Sequence, residues 1–150
     1  MARSLAHFAR KLSALSLRDW GELWRAQWEL LVAQATIRSR PIGSLATPAT
    51  QVGEADPTRF PEARRLALAV VRAARFGVFR PQCLVRSVAL SKLLRARSID
   101  GAVVRIGVRR AGGEFLAHAW VELGGETLGD ADEHVGSFVP LTNLEVHTHR

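Results

Sequence analysis

Three side chains in the C-terminal half carry the chemistry this chain can offer: Cys83, His118 and Asp130. Cys83 follows Pro81-Gln82 and opens an apolar-periodic stretch, so it is expected at a helix start. Free backbone N–H groups and partial positive charge at a helix start favour a thiolate, the nucleophilic form of cysteine. The same N–H groups can stabilise an oxyanion forming beside the sulfur. His118 lies mid-strand between Ala117 and Ala119, whose small side chains leave room around an imidazole. Asp130 follows it by twelve residues, at the end of the next expected strand. Together they would make a thiol nucleophile, a general base and acid, and a carboxylate that orients the base. Taken singly, each has an ordinary reading: an inert buried thiol, a satisfied core histidine and a strand-terminal aspartate.

Register decides whether the last two can meet. With a two-residue loop at Gly124-Gly125, His118 faces Ala131 and Asp130 points to the opposite side of the sheet. With a three-residue loop, Leu123-Gly124-Gly125, His118 and Asp130 become direct cross-strand partners. A glycine at the last position suits that longer loop. A slip of one residue turns every side chain over, and the triad reading expects the three-residue loop. Asp132 and Glu133 are rivals to Asp130 in another register. Gln82 is a candidate oxyanion donor beside the Cys83 N–H. Arg86, almost one turn after Cys83, is placed to support the thiolate or contact substrate, and Trp120 to wall the site as a substrate-binding candidate. Each of these also has a structural reading: a helix-start residue, a salt-bridged arginine and a core indole.

The elements that must position these groups follow from periodicity. Residues 1–17 read as weakly helical and 18–38 as strongly helical, with Asp19 in the first turn or at the cap. Trp20, Trp24, Trp28, Leu31 and Ala35 form one stripe on that helix, expected to face the core. Exposed, the three indoles would form a partner surface. Residues 39–58, with three prolines, read as a loop. A helix opened by Pro61 follows, with Leu66, Val70 and Ala73 on one face. The next helix spans about Gln82 to Arg97. Strands are expected at Ala102–Arg109, Phe115–Leu123 and Glu126–Asp130, with an irregular tail beyond. Helices first and an antiparallel meander second read as α+β. The expected division is a helical arm and linker over 1–58 and a catalytic core over 59–150.

Composition bounds the rest. The 150 residues are 47% hydrophobic and 23% charged, an ordinary globular balance. A lone cysteine excludes an internal disulfide and multi-cysteine metal sites, and fits a reducing cytoplasm. The N-terminus lacks a signal peptide's apolar core and cleavage site. No apolar run is long enough to span a membrane. Net charge is +7. Residues 1–75 carry 12 basic and 6 acidic residues, against 9 and 8 in residues 76–150. The basic half is compatible with an acidic peptide, nucleic acid, a membrane surface or plain solvation. His147 and His149 can bind metal adventitiously, but no His/Cys/Asp set has zinc spacing, and there is no P-loop or dinucleotide glycine pattern. No metal and no cofactor are expected.

The stretches CLVRSVALSKLLRARSIDGAVVRIGVRR and FLAHAWVELGG resemble the leader peptidases of lasso-peptide biosynthesis, a transglutaminase-like cysteine peptidase family. The match rests on Cys83-Leu84, Arg86, Leu93 to Ile99, Ile106-Gly107-Val108 and Ala117-His118-Ala119-Trp120, and covers roughly residues 60–140. An aspartate at the spacing of Asp130 is part of the pattern. One departure is Ser98, where many members have a helix-capping glycine. The resemblance implies a papain/transglutaminase-like fold with the nucleophile helix packed on a small antiparallel sheet. It implies a cytoplasmic hydrolase that cuts the leader from a ribosomally made precursor peptide, near a threonine at the leader's second-to-last position. The freed core amine then goes to a separate ATP-dependent cyclase. It also implies a separate leader-binding recognition protein, with the cyclase as a possible further partner, because the first 58 residues do not read as a recognition module. Two other readings keep the same residues: acyl transfer from a thioester to an amine, and a non-enzymatic basic module that binds nucleic acid or membrane.

Overall fold

A computed structural model describes residues 16–39 and 54–144. The expected helix over the first residues, most of the 39–58 loop, and His147 and His149 lie outside these. Helix α1 spans Leu17–Ser39. A 3-10 turn, Pro57–Arg59, leads into α2, Phe60–Phe76. Helix α3 is Cys83–Arg95. Strands β1 (Ala102–Ala111), β2 (Glu114–Leu123) and β3 (Glu126–Leu128) follow, then a one-turn helix α4 (Asp132–Val135) and strand β4 (Val139–Leu144). All strand pairs are antiparallel, in the order β3-β2-β1-β4. The expected α+β architecture is present: α2 and α3 lie against one face of the sheet, and α1 packs on those two helices.

Helix α1 begins at a reciprocal cap. Ser16 Oγ accepts from the Asp19 N–H at 3.2 Å, and Asp19 Oδ2 accepts from the Ser16 N–H at 2.9 Å. Its core face is the reverse of the expected one. Ala26, Leu30 and Ala33 are fully buried, whereas Trp24 and Trp28 are 71% and 65% exposed. Trp20, Leu31 and Ala35 are exposed too. The physical reason is close approach. Helix α2 buries Ala63, Leu66, Ala67, Ala69, Val70, Ala73 and Ala74, and small residues such as these let α1 approach closely. Indoles would hold the two helices apart. Buried Glu22 completes that face and pairs with Arg65 of α2 at 3.0 Å. The arm expected over 1–58 therefore does not stand apart where it is described: α1 shares one core with α2, α3 and the sheet residues Val104, Val121, Leu123 and Leu128.

Helix α3 ends where the resemblance pattern has a glycine. Ser98 has φ of 52°, the only positive value at a non-glycine among the described residues. Ile99 N–H donates to Leu94 O at 3.0 Å and Ser98 N–H to Arg95 O at 2.9 Å, the two bonds of a Schellman end. Buried Ile99 and Leu94 supply its hydrophobic contact. The left-handed turn is thus kept, at the steric cost a Cβ carries there. Ser98→Gly is expected to stabilise the fold by about 0.5–1 kcal/mol, read as a higher urea midpoint with an unchanged slope.

The tail expected to be irregular carries a helical turn and a strand as far as Leu144. Strand β4 pairs with β1, with a register shift between Ile106 and Gly107. On the sheet face away from the long helices, Val135 and Phe138 bury themselves with Trp120. Gly107 makes this possible: a Cβ there would lie 2.8 Å from the Trp120 ring.

Candidate active site

Cys83 is the first residue of α3 and is half-buried. Gln82 precedes it in extended conformation and its side chain makes no capping bond. The first-turn amides of α3 are therefore not consumed by a capping side chain from Gln82. Ser87 Oγ donates to Cys83 O at 3.0 Å and tightens that turn.

His118 lies on β2 opposite Gly107. Strand alternation puts it on the Trp120 face. Its ring packs edge-on to His134 at 4.9 Å between centroids, against Phe138 at 5.3 Å and stacked on Trp120 at 6.2 Å. Trp120 is 1% exposed and its Nε1 donates to Glu122 at 2.9 Å. That places the indole behind His118, out of a substrate's reach.

The β2–β3 loop is the two-residue one. Leu123 faces Glu126 and Val121 faces Leu128, with Gly124 and Gly125 in the turn. The longer loop expected for a triad is absent, yet His118 and Asp130 meet: Nε2 lies 3.4 Å from Oδ2. The reason is that β3 stops at Leu128, short of the expected Asp130. Gly129 then takes φ of +81°, a conformation that L side chains disfavour. Beyond Leu128 the ladder no longer dictates side, and the β2 edge at His118 is uncovered by β3. Asp130 turns to that edge.

From the helix side Arg86 Nη2 donates to Asp130 Oδ1 at 3.2 Å. Arg86 is on the same first turn of α3 as Cys83. The carboxylate therefore joins the helix that Cys83 opens to the imidazole on the sheet. The bidentate Arg64–Glu126 pair, both bonds 2.6 Å, ties α2 to the hairpin that carries Asp130. No hydrogen bond joins the Cys83 thiol to His118 among the described residues; catalytic contacts often tighten only when substrate binds. Asp132 and Glu133 lie on exposed α4 and pair with neither residue. His134 and Phe138 wall the imidazole from a tail whose sequence carries no clear strand or helix period.

Burial holds the His118 proton affinity below that of a free imidazole, with the neighbouring His134 and Arg86 acting in the same direction. The Asp130 charge opposes them without cancelling the effect. Nε2 is buried and makes no aligned hydrogen bond, so the carboxylate acts as a charge at contact distance. A neutral imidazole is the form that accepts a proton. The sign for stability follows. Below about pH 6.5 the unfolded chain takes up a proton that folded His118 refuses. Its contribution is complete above that value and declines as pH falls toward the lowered folded value. Between about pH 7.5 and 5, wild type is expected to lose more unfolding free energy than His118→Gln, measured by urea denaturation at each pH.

The fold and this cluster define a class. The chain belongs to the transglutaminase-like superfamily, whose family model matches residues 26–143. That match takes in most of α1, in keeping with its buried face. Over 55 residues the chain is 44% identical to the microcin J25-processing protein McjB of Escherichia coli, a match covering 37% of this chain and 25% of that protein. The matched part thus spans a quarter of that curated relative. No solved structure matches the chain. No helix among the described residues is long and apolar enough to cross a membrane.

Proposed function

We propose that this protein is a cysteine peptidase that removes the leader from a ribosomally made lasso precursor peptide, acting in the cytoplasm with a separate leader-binding protein. The observation that carries the reading is the Arg86–Asp130–His118 chain, which runs from the first turn of the helix opened by Cys83 to the imidazole on β2. Membership of the transglutaminase-like superfamily and the likeness to a microcin-processing protein support it.

With Nε2 turned to Asp130, Nδ1 is the ring nitrogen left to serve Cys83. His118 takes the thiol proton as sulfur attacks the carbonyl carbon of the leader's last residue. The oxygen becomes an oxyanion that the Cys83 N–H and the Gln82 side chain can receive. As the tetrahedral adduct collapses, the C–N bond breaks and His118 gives its proton to the departing core amine. Water, deprotonated by the same imidazole, then hydrolyses the leader thioester and restores the thiol. The released core amine is the nucleophile that a separate ATP-dependent cyclase requires. Arg86 serves here by holding Asp130, and Trp120 by backing the imidazole.

Mass spectrometry of the precursor from the same gene neighbourhood, incubated with the chain with and without its leader-binding protein, tests this reading. Cleavage at one bond, dependent on that partner, is expected. A triad-dependent amide product in place of the free leader acid would show acyl transfer instead. Salt-sensitive nucleic-acid binding with no cleavage would favour the basic binding module.

A further inference from the structure

Two of the exposed indoles, Trp20 and Trp24, border a groove of about 410 Å³ between α1 and the C-terminal end of α2. Trp20, Leu23 and Trp24 form one wall, and Phe76 and Val78 the other. Trp24, Phe76 and Val78 are 71%, 59% and 79% exposed. Such contiguous apolar exposure marks an interaction site more often than a bare surface. At its base the Gln27 carboxamide is buried with neither its donor nor its acceptor paired.

Charge restricts the occupant. Arg72 lines the groove, and the Arg75 guanidinium stands 5.4 Å over the Phe76 ring at its rim. Asp19, held in the Ser16 cap, lies near Arg72 and offsets part of this charge, leaving the two arginines in excess over the one acid. A second copy of the chain docking isologously would bring both sets of arginines together. A concave site between two helices suits an inserted side chain better than a flat bilayer surface. We propose that this groove binds an acidic, amphipathic peptide segment of a partner protein, with an apolar side chain seated between Trp24 and Val78 and a carboxylate against Arg72. Val78 is five residues ahead of Cys83, so the partner would lie on the segment that leads into the nucleophile. The inference goes beyond the peptidase reading and is independent of it, because binding is read without cleavage.

A random linear-peptide display library selected on the full chain, with Trp24→Ala and Arg72→Glu as counter-selections, tests it. Enriched sequences are expected to pair an aromatic or aliphatic anchor with Asp or Glu. A synthetic peptide of the leading sequence should bind wild type with an affinity that falls at higher salt. It should bind Trp24→Ala and Arg72→Glu roughly tenfold or more weakly. Trp28→Ala, exposed but outside the groove, should bind like wild type. Circular dichroism melts check that all three variants fold. The proposal is overturned if nothing is enriched on wild type over Trp24→Ala, or if the enriched sequences are basic. It is overturned equally if sedimentation shows a dimer that Trp24→Ala abolishes. Trp24-dependent binding to phosphatidylserine vesicles without peptide enrichment has the same consequence.

Discussion

Cys83→Ala is expected to remove precursor cleavage altogether, a loss on the order of 10⁴-fold or more, because in the proposed mechanism its sulfur forms the acyl intermediate. The fold should hardly notice. Cys83 is half-buried, stands outside both core clusters and, among the described residues, makes no side-chain hydrogen bond. Its substitution should change unfolding free energy by less than about 0.5 kcal/mol. That separation is what makes the variant decisive, with single-turnover mass spectrometry and a urea titration on the same preparation. His118→Ala should lose as much activity but also stability, because its ring packs on Trp120, His134 and Phe138. Cleavage that survives Cys83→Ala would leave Cys83 an ordinary helix-start residue.

The second large effect is expected at Asp130. Asp130→Asn keeps the shape but removes the charge that faces His118 and pairs with Arg86. Loss of the orienting carboxylate should lower kcat by roughly 10²–10⁴-fold. The pH profile distinguishes this from a merely structural injury. The Asp130 charge raises the proton affinity of His118, and the Arg86 charge lowers it. Asp130→Asn should therefore move the acidic limb of kcat/KM to lower pH, and Arg86→Met should move it higher. Shifts of the same sign in both variants, or none in either, would mean that Asp130 does not act through His118.

The strand–turn–strand run, the two helices before it and the helix-start position of Cys83 were legible without coordinates. Each depends on short-range pattern: a 3.6-residue period in Leu66, Val70 and Ala73, alternation in Val104, Ile106 and Val108, and paired glycines between strands. The local context of Cys83 and His118 is of the same kind. What tertiary structure decided was which face of an element turns inward and which residues meet across the fold. On α1, hydrophobic weight pointed to the tryptophans, but helix-to-helix distance selected Ala26, Leu30 and Ala33, a choice that depends on the alanines of α2. The β2–β3 register alone would have sent Asp130 away from His118. The early end of β3 and the left-handed Gly129 released it from that rule, and Arg86 holds it from a helix 44 residues earlier in the chain. Strand β4 and the walls around His118 are not legible in the sequence because Val135 and Phe138 have no periodic partners in it. Their partner is Trp120, and only the folded sheet, with Gly107 clearing space for that indole, brings them to it.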